Sequence, residues 1–232
     1  MAESALPVAM ISGAGRGIGA AIAAELTAHG WAVSLGCRRP GSVPADARQL
    51  VCHYDALESQ SDQRWIDSTL AAYGRIDAVI HNAGIMLPRS VLEATDEEFD
   101  QQFAVNVKAP MRLTRKLWPW LKASGRGRVI TLASLSAKRV KSAQSGLYAM
   151  SKFSALAFTH ALRHAGEADG IRACAICPGF VATDMGMSLS QIPAEKMTQP
   201  EDIALLVRTV LMLPNRASIA EIPVNWAVED NY

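Results

Sequence analysis

No uninterrupted apolar stretch reaches the ~20 residues that a bilayer-spanning helix needs, so no transmembrane segment is expected. Four cysteines in 232 residues do not make a disulfide framework. Charge of one sign is also lacking. Lys plus Arg (23) nearly equal Asp plus Glu (22), and the net charge of +1 gives no electrostatic case for nucleic acid or an anionic membrane as partner. The five histidines show no ligand spacing, and Cys174-x-x-Cys177 has no second pair, so no metal site is expected. Residues three apart on a strand face opposite sides, which makes these two ordinary buried cysteines. The opening MAESALPVAMISGAGRG has no basic n-region and runs straight into a glycine loop, unlike a secretory signal. The cytoplasm, as a reducing compartment, is the expected location.

No internal repeat or low-complexity segment appears, and residues 1–232 are expected to form one domain. Short β-branched runs alternate with helix-period segments along the chain. Strands are expected at 7–11, 32–35, 49–53, 77–81, 128–134, 171–176 and 219–224. Helices are expected at 18–28, 59–73 and 148–164, after a capping box of Thr95 and Glu98, and from about 200. The alternation predicts an α/β fold, a single doubly wound Rossmann-type domain whose parallel sheet of about seven strands carries helices on both faces. Residues 180–199, with three methionines and one proline, show no clear period. Following a strand's carboxyl end, where open α/β sheets bind ligands, they read as a lid.

The first strand leads into Ser12-Gly13-Ala14-Gly15-Arg16-Gly17-Ile18-Gly19 and then a helix. Glycines in that place let backbone approach a pyrophosphate seated on the helix N-terminus. The spacing does not fit G-x-G-x-x-G. Further motifs follow in order: His81-Asn82-Ala83-Gly84 after the fourth strand, Asn106 inside a helix, Ser134, the Tyr148-x-x-x-Lys152 pair, and Pro178-Gly179 with Val181 and Thr183. Together they resemble the short-chain dehydrogenase/reductase family, whose glycine loop is T-G-x-x-x-G-x-G, over essentially the whole chain. Ser12 stands for the family's threonine, His81 for the first asparagine of N-N-A-G, and Ala133 for the first serine of I-S-S.

The resemblance implies a hydride moved between a nicotinamide and the carbonyl or alcohol carbon of a small molecule. Tyr148 and Lys152, four apart on a helix, share one face. By resemblance Tyr148 is the general acid/base, and Lys152 lowers its pKa and holds the nicotinamide ribose. Ser134 would stabilise charge on the substrate oxygen, with Ser136 as a local competitor; the gap to Tyr148 is one residue longer than is common in the family. Asn106 would hold a water that links the lysine to solvent. Asp55 would meet the adenine ring, Asn82, Ala83 and Gly84 would line the cofactor, and Thr183 would bond the carboxamide.

At the end of the second strand, where the family's NAD enzymes carry an acid, stand Cys37 and Arg38. With Arg16 in the loop, two guanidinium groups are expected to converge on a 2′-phosphate, which favours NADP(H) over NAD(H). A nucleotide-sugar epimerase or dehydratase would need a large C-terminal substrate domain and a G-x-x-G-x-x-G loop. The remaining alternative is a non-enzymatic NADP-binding sensor or regulator on the same fold. Residues 85–89, 138–145 and the methionine-rich loop would contact substrate, where Lys138, Arg139 and Lys141 bring positive charge. The tail EIPVNWAVEDNY lacks the family's usual glycine-ended terminus. Family members assemble as homodimers or homotetramers through the helices around 95–122 and 148–164, and the same is expected here.

Overall fold

Apolar runs such as VAMIS and AVIH are buried along their whole length, the mark of strands covered on both faces. In the computed structural model, which describes residues 6–43 and 48–229, seven strands pair in parallel. They are β1 (Val8–Ser12), β2 (Ala32–Cys37), β3 (Gln49–His53), β4 (Ala78–His81), β5 (Arg128–Leu132), β6 (Arg172–Pro178) and β7 (Glu221–Val224). The sheet order is β3-β2-β1-β4-β5-β6-β7. The order reverses between β1 and β4, and their diverging connections open a crevice at the strands' carboxyl ends.

The helices are α1 (Gly17–Ala28), α2 (Ser59–Tyr73), α3 (Asp96–Phe103), α4 (Ala109–Ala123), α5 (Gly146–Gly166), α6 (Asp184–Leu189) and α7 (Pro200–Met212). Strand side chains alternate between two cores. Ile11, Val33, Ile80, Ile130 and Ile176 pack on Ile22 and Leu26 of α1 and Ile203 and Val207 of α7. Met10, Val79 and Val129 face Trp65 of α2 and Leu113, Leu117 and Leu121 of α4. Cys174 joins the first core, while Cys177 packs under α5 with Ala133 and Ala175, so the two thiols lie on opposite faces as expected. Among the described residues, no helix is long and apolar enough to cross a membrane, and no cluster of acidic, histidine or cysteine side chains could hold a metal.

The Thr95–Glu98 capping box opens α3, with both reciprocal hydrogen bonds at 3.2 Å. A π-helical turn, Ala104–Lys108, then joins α3 to α4 without a break. One ion pair is buried between α2 and α4. The Asp62 carboxylate has no exposure and takes both Nε (2.5 Å) and Nη2 (3.0 Å) of Arg112.

Two expectations need correction. The segment 180–199 is not irregular throughout: it holds α6, a 3-10 turn Ala194–Lys196, and a parallel bridge between Val181 and Thr198. Thr183 caps α6 by accepting from Gly186 N at 3.2 Å, and Asp184 follows in its first turn; six residues are too few to show a period. The fifth strand ends at Leu132 rather than 134, because Ser134 turns out of the sheet to cap the 3-10 turn Leu135–Ala137.

Candidate active site

Ser12 ends β1, and its hydroxyl stitches that strand to the end of β4. Its Oγ donates to Ile80 O (3.3 Å) and accepts from the backbone N–H groups of Asn82 and Ala83 (both 3.1 Å). The Asn82 amide donates back to Ser12 O (3.1 Å) and Gly13 O (3.0 Å). This close approach is why the loop needs glycine. Gly13 has φ +67°, and a Cβ there would lie 2.9 Å from Ala83 Cα; one on Gly19 would lie 2.5 Å from Asn82 Nδ2. The N-terminus of α1 then starts with no side-chain cap and no acid in its first turn. Its amides are left for an outside acceptor, and a diphosphate suits them.

A cleft of about 520 Å³ runs along this loop, lined by Gly15, Gly17, Ile18, Cys37, Asp55, Asn82 to Ile85 and Thr183. Met185 and Met187 of α6 close one side. Arg38 is exposed on the rim and makes no ion pair or hydrogen bond among the described residues. Arg16 lines the same cleft as Arg38. Its Nη1 is held at 2.8 Å by Asp184, a carboxylate across the cleft that sequence reading left out. Asp55 sits on the wall, its Oδ1 accepting from Leu57 N at 2.9 Å.

Beside Gly84 of the cleft wall, α5 brings Tyr148 and Lys152 against the carboxyl end of β5. Lys152 is buried, and its Nζ donates to Leu132 O at 2.8 Å. Nζ lies 5.6 Å from the centroid of the Tyr148 ring and 3.7 Å from where a side chain on Gly84 would start. Burial lowers the Lys152 ammonium to about 8. Burial likewise pushes the Tyr148 phenol up to about 12, and a hydrogen bond with Ser134 pulls it partly back. The Lys152 ammonium gives its hydrogen bond to Leu132 O and lies over the Tyr148 ring.

Between Ser134 and Ser136, the geometry distinguishes clearly. Ser134 Oγ meets Tyr148, donates to Pro178 O at 3.4 Å and accepts from Ser136 N at 3.0 Å, whereas the Ser136 hydroxyl makes no hydrogen bond among the described residues. Pro178 and Gly179 continue from β6 beside it, and Gly179 N donates to Val224 O at 2.8 Å. Val181 is buried beneath α6, where its carbonyl receives the Thr183 hydroxyl at 3.4 Å. Asn106 lies in the π-helical turn, a feature frequent at functional sites. Its amide donates to Ile85 O (2.9 Å) and Ser151 Oγ (3.0 Å), while Oδ1 accepts from Ile85 N (2.9 Å). The side chain therefore clamps the backbone that follows Gly84, a task its sequence position did not announce.

A family model described as short chain dehydrogenase matches residues 7–193. The chain belongs to the short-chain dehydrogenase/reductase family. Agropine synthesis reductase of Rhizobium rhizogenes is 39% identical over 219 residues, covering 92% of this chain and 51% of that protein. This chain thus spans about half the length of that relative. Acetoacetyl-CoA reductase of Rhizobium meliloti (strain 1021) is 28% identical over 86% of this chain and 88% of its own. Among solved structures, the alcohol dehydrogenase of the archaeon Thermococcus sibiricus, complexed with 5-hydroxy-NADP, superposes with a TM-score of 0.85. It is 28% identical and covers 97% of this chain and 99% of that one. The short-chain dehydrogenase fold thus accounts for the cleft, and a nicotinamide cofactor for its lining.

Proposed function

We propose that this chain is an NADP(H)-dependent oxidoreductase acting on the carbonyl or alcohol carbon of a small molecule. The observation that carries the proposal is the meeting of Ser134, Tyr148 and Lys152 beside Gly84, a wall residue of the cleft that the uncapped amides of α1 border. When bound, the nicotinamide gives the hydride in reduction and takes it in oxidation. The amides of α1 would hold the diphosphate, Asn82 to Gly84 and Thr183 would flank the cofactor, and Arg38 at the rim would meet a 2′-phosphate.

The protein's own part is proton chemistry. Tyr148 gives its phenol proton to the substrate oxygen during reduction and recovers one in the reverse direction. Proton transfer from such a positioned acid contributes about 10²–10⁴-fold. A phenol at about 12 is a reluctant acid. The phenolate it leaves is stabilised by the nearby Lys152 cation, 5.6 Å from the ring centroid, an effect that burial strengthens. The Ser134 hydroxyl, on a long 3.4 Å bond to Pro178 O, can turn to the substrate oxygen and offset its developing charge. Asn106 holds the Ile85 backbone, and a proton route to Lys152 beside it belongs to the same proposal. No observation favours a non-enzymatic sensor, since none of the three reacting side chains is missing.

The test is a panel of carbonyls and alcohols with NADPH and NADP⁺, and with NADH and NAD⁺ in parallel, followed at the nicotinamide absorbance. Turnover with the phosphorylated pair is expected; tight cofactor binding with no turnover of any compound would return the sensor reading. The proposal includes the cytoplasm as location, consistent with four free cysteines. It also includes a homodimer or homotetramer. An apolar groove of about 430 Å³ between α4 and α5, lined by Met111, Trp118, Phe158 and Leu162, supports such an assembly. Light scattering on the eluting protein measures it.

A further inference from the structure

Three cations, Lys138, Arg139 and Lys141, lie in the loop between Ser134 and Tyr148. Lys138 Nζ is committed to Glu221 Oε1 of β7 at 2.7 Å. The other two converge on one carboxylate, that of Glu229 in the segment after β7. Arg139 donates to Oε2 from both Nε (3.2 Å) and Nη2, and Lys141 Nζ donates to Oε1 at 2.9 Å. Two positive side chains therefore hold both oxygens of a single carboxylate, the arrangement by which proteins recognise that group.

This cluster is linked to the reacting groups through intervening residues. Arg139 N donates to Leu135 O at 3.1 Å, one turn beyond Ser134. From the other side, a side chain on Gly179 would meet Asn225 Oδ1 at 2.6 Å and Leu135 Cδ1 at 3.2 Å. Asn225 in turn hydrogen-bonds Glu229. A short chain of contacts through Pro178, Gly179 and Asn225 thus connects the Ser134 hydroxyl to the Glu229 carboxylate. Residues 225–229 form no helix or strand, Val228 is fully exposed and Trp226 is 39% exposed. Of the two cations, Lys141 is 61% exposed and its pair is screened by salt, whereas Arg139 and Glu229 are part-buried, at 21% and 25%. A carboxylate arriving from solvent would replace Glu229 with no change in the charge that the two cations face.

We infer that Arg139 and Lys141 form the subsite for the carboxylate of an anionic substrate, an oxo or hydroxy acid, with Glu229 as its internal occupant until substrate arrives. The inference rests on the oxidoreductase reading above and adds the charge of the substrate to it.

The experiment uses linear oxo acids of increasing spacing and their methyl esters, matched in all but charge. NADPH oxidation is measured alongside hydrogen exchange at residues 225–229. The acids should exceed the esters in kcat/KM, and Arg139→Ala should shrink that ratio roughly tenfold, the worth of one charged hydrogen bond. Arg139→Gln should act in the same direction if the alanine variant folds poorly. Glu229→Gln should raise the ratio, and acids but not esters should speed exchange in the tail. A ratio near one, or one unmoved by Arg139→Ala, together with unchanged tail exchange, overturns the subsite. Faster tail exchange with acids but no NADPH oxidation by either series would uphold the subsite and sink the oxidoreductase reading.

Discussion

Lys152 Nζ stands 5.6 Å from the centroid of the Tyr148 ring and gives its hydrogen bond to Leu132 O at 2.8 Å. The two residues share the face of α5 that their spacing requires, yet the ammonium does not touch the phenol oxygen. On the function proposed above, its effect on that oxygen is through space, with proton transfer the phenol's part and charge compensation the lysine's. Loss of either should leave a different trace.

Tyr148→Phe removes one hydroxyl and keeps the ring. Turnover should fall by about 10²–10⁴-fold, the usual worth of a general acid, while the dissociation constant for NADPH stays close to that of the parent. Steady-state rates and a fluorescence titration measure the two; a variant as fast as the parent would remove Tyr148 from the reaction. Lys152→Ala should lower both rate and cofactor affinity.

The same pair sets a pH dependence. Burial lowers Lys152 to about 8, so its charge is present below that pH and lost as pH rises through it. Tyr148, at about 12, keeps its proton throughout the range. The kcat/KM for NADPH, which reports the free enzyme, should be level below pH 8 and fall about tenfold per unit above it. Arginine stays charged there, so Lys152→Arg should move the decline upward or erase it. A profile that is flat from pH 7 to 10 would show that the ammonium is not required.

Asp62 and Arg112 tie α2 to α4 beneath the nucleotide cleft. The carboxylate is fully buried and is met by Arg112, with Lys116 at 3.5 Å. Arg112→Leu would leave that charge without its hydrogen-bonded partner, at a cost of about 3–5 kcal/mol. Arg112 also donates to Ala56 O at 3.0 Å, so the loop after β3 loosens with it. Urea unfolding followed by circular dichroism reads the loss. A midpoint unchanged from the parent would mean that water or Lys116 replaces the guanidinium.

What could be read from sequence was what periodicity and motif order encode. The strand–helix alternation and the run from Ser12 to Thr183 placed all seven strands and brought Ser134, Tyr148 and Lys152 to one place. Boundaries moved where a side chain competed with the ladder, as at Ser134, whose hydroxyl captures Ser136 N and ends β5 early. Helix α6 stayed hidden because it is short, although Thr183 followed by Asp184 was a capping signal in plain view. The π-helical turn at Asn106 could not be foreseen, since one extra residue in a helix leaves no compositional mark. Long-range ion pairs were the least legible. Arg16 with Asp184 and Arg139 with Glu229 join residues 168 and 90 positions apart, and only the fold makes them neighbours.

Asp184 bears directly on cofactor choice. NADPH and NADH differ by one phosphate, so discrimination must come from groups near the ribose 2′ position. On the proposed reading the cleft offers Arg38 there, exposed and unpaired among the described residues, and carries Cys37 where a carboxylate would hold a free hydroxyl. Arg16 is the second cation, but its guanidinium is spent on Asp184 across the cleft. Both partners of that pair are largely exposed, so the bond is weak enough for a phosphate to take its place. Arg38→Ala should weaken NADPH about 10- to 100-fold more than NADH, the range for one or two charged hydrogen bonds. Cys37→Asp should tilt the balance towards NADH. Asp184→Asn keeps the shape of the α6 start and releases Arg16, and it should tighten NADPH while leaving NADH nearly unchanged. Calorimetry with both cofactors at fixed salt separates these outcomes. If Asp184→Asn shifted both affinities together, Arg16 would be acting on the diphosphate common to the two cofactors, and Arg38 alone would carry the choice.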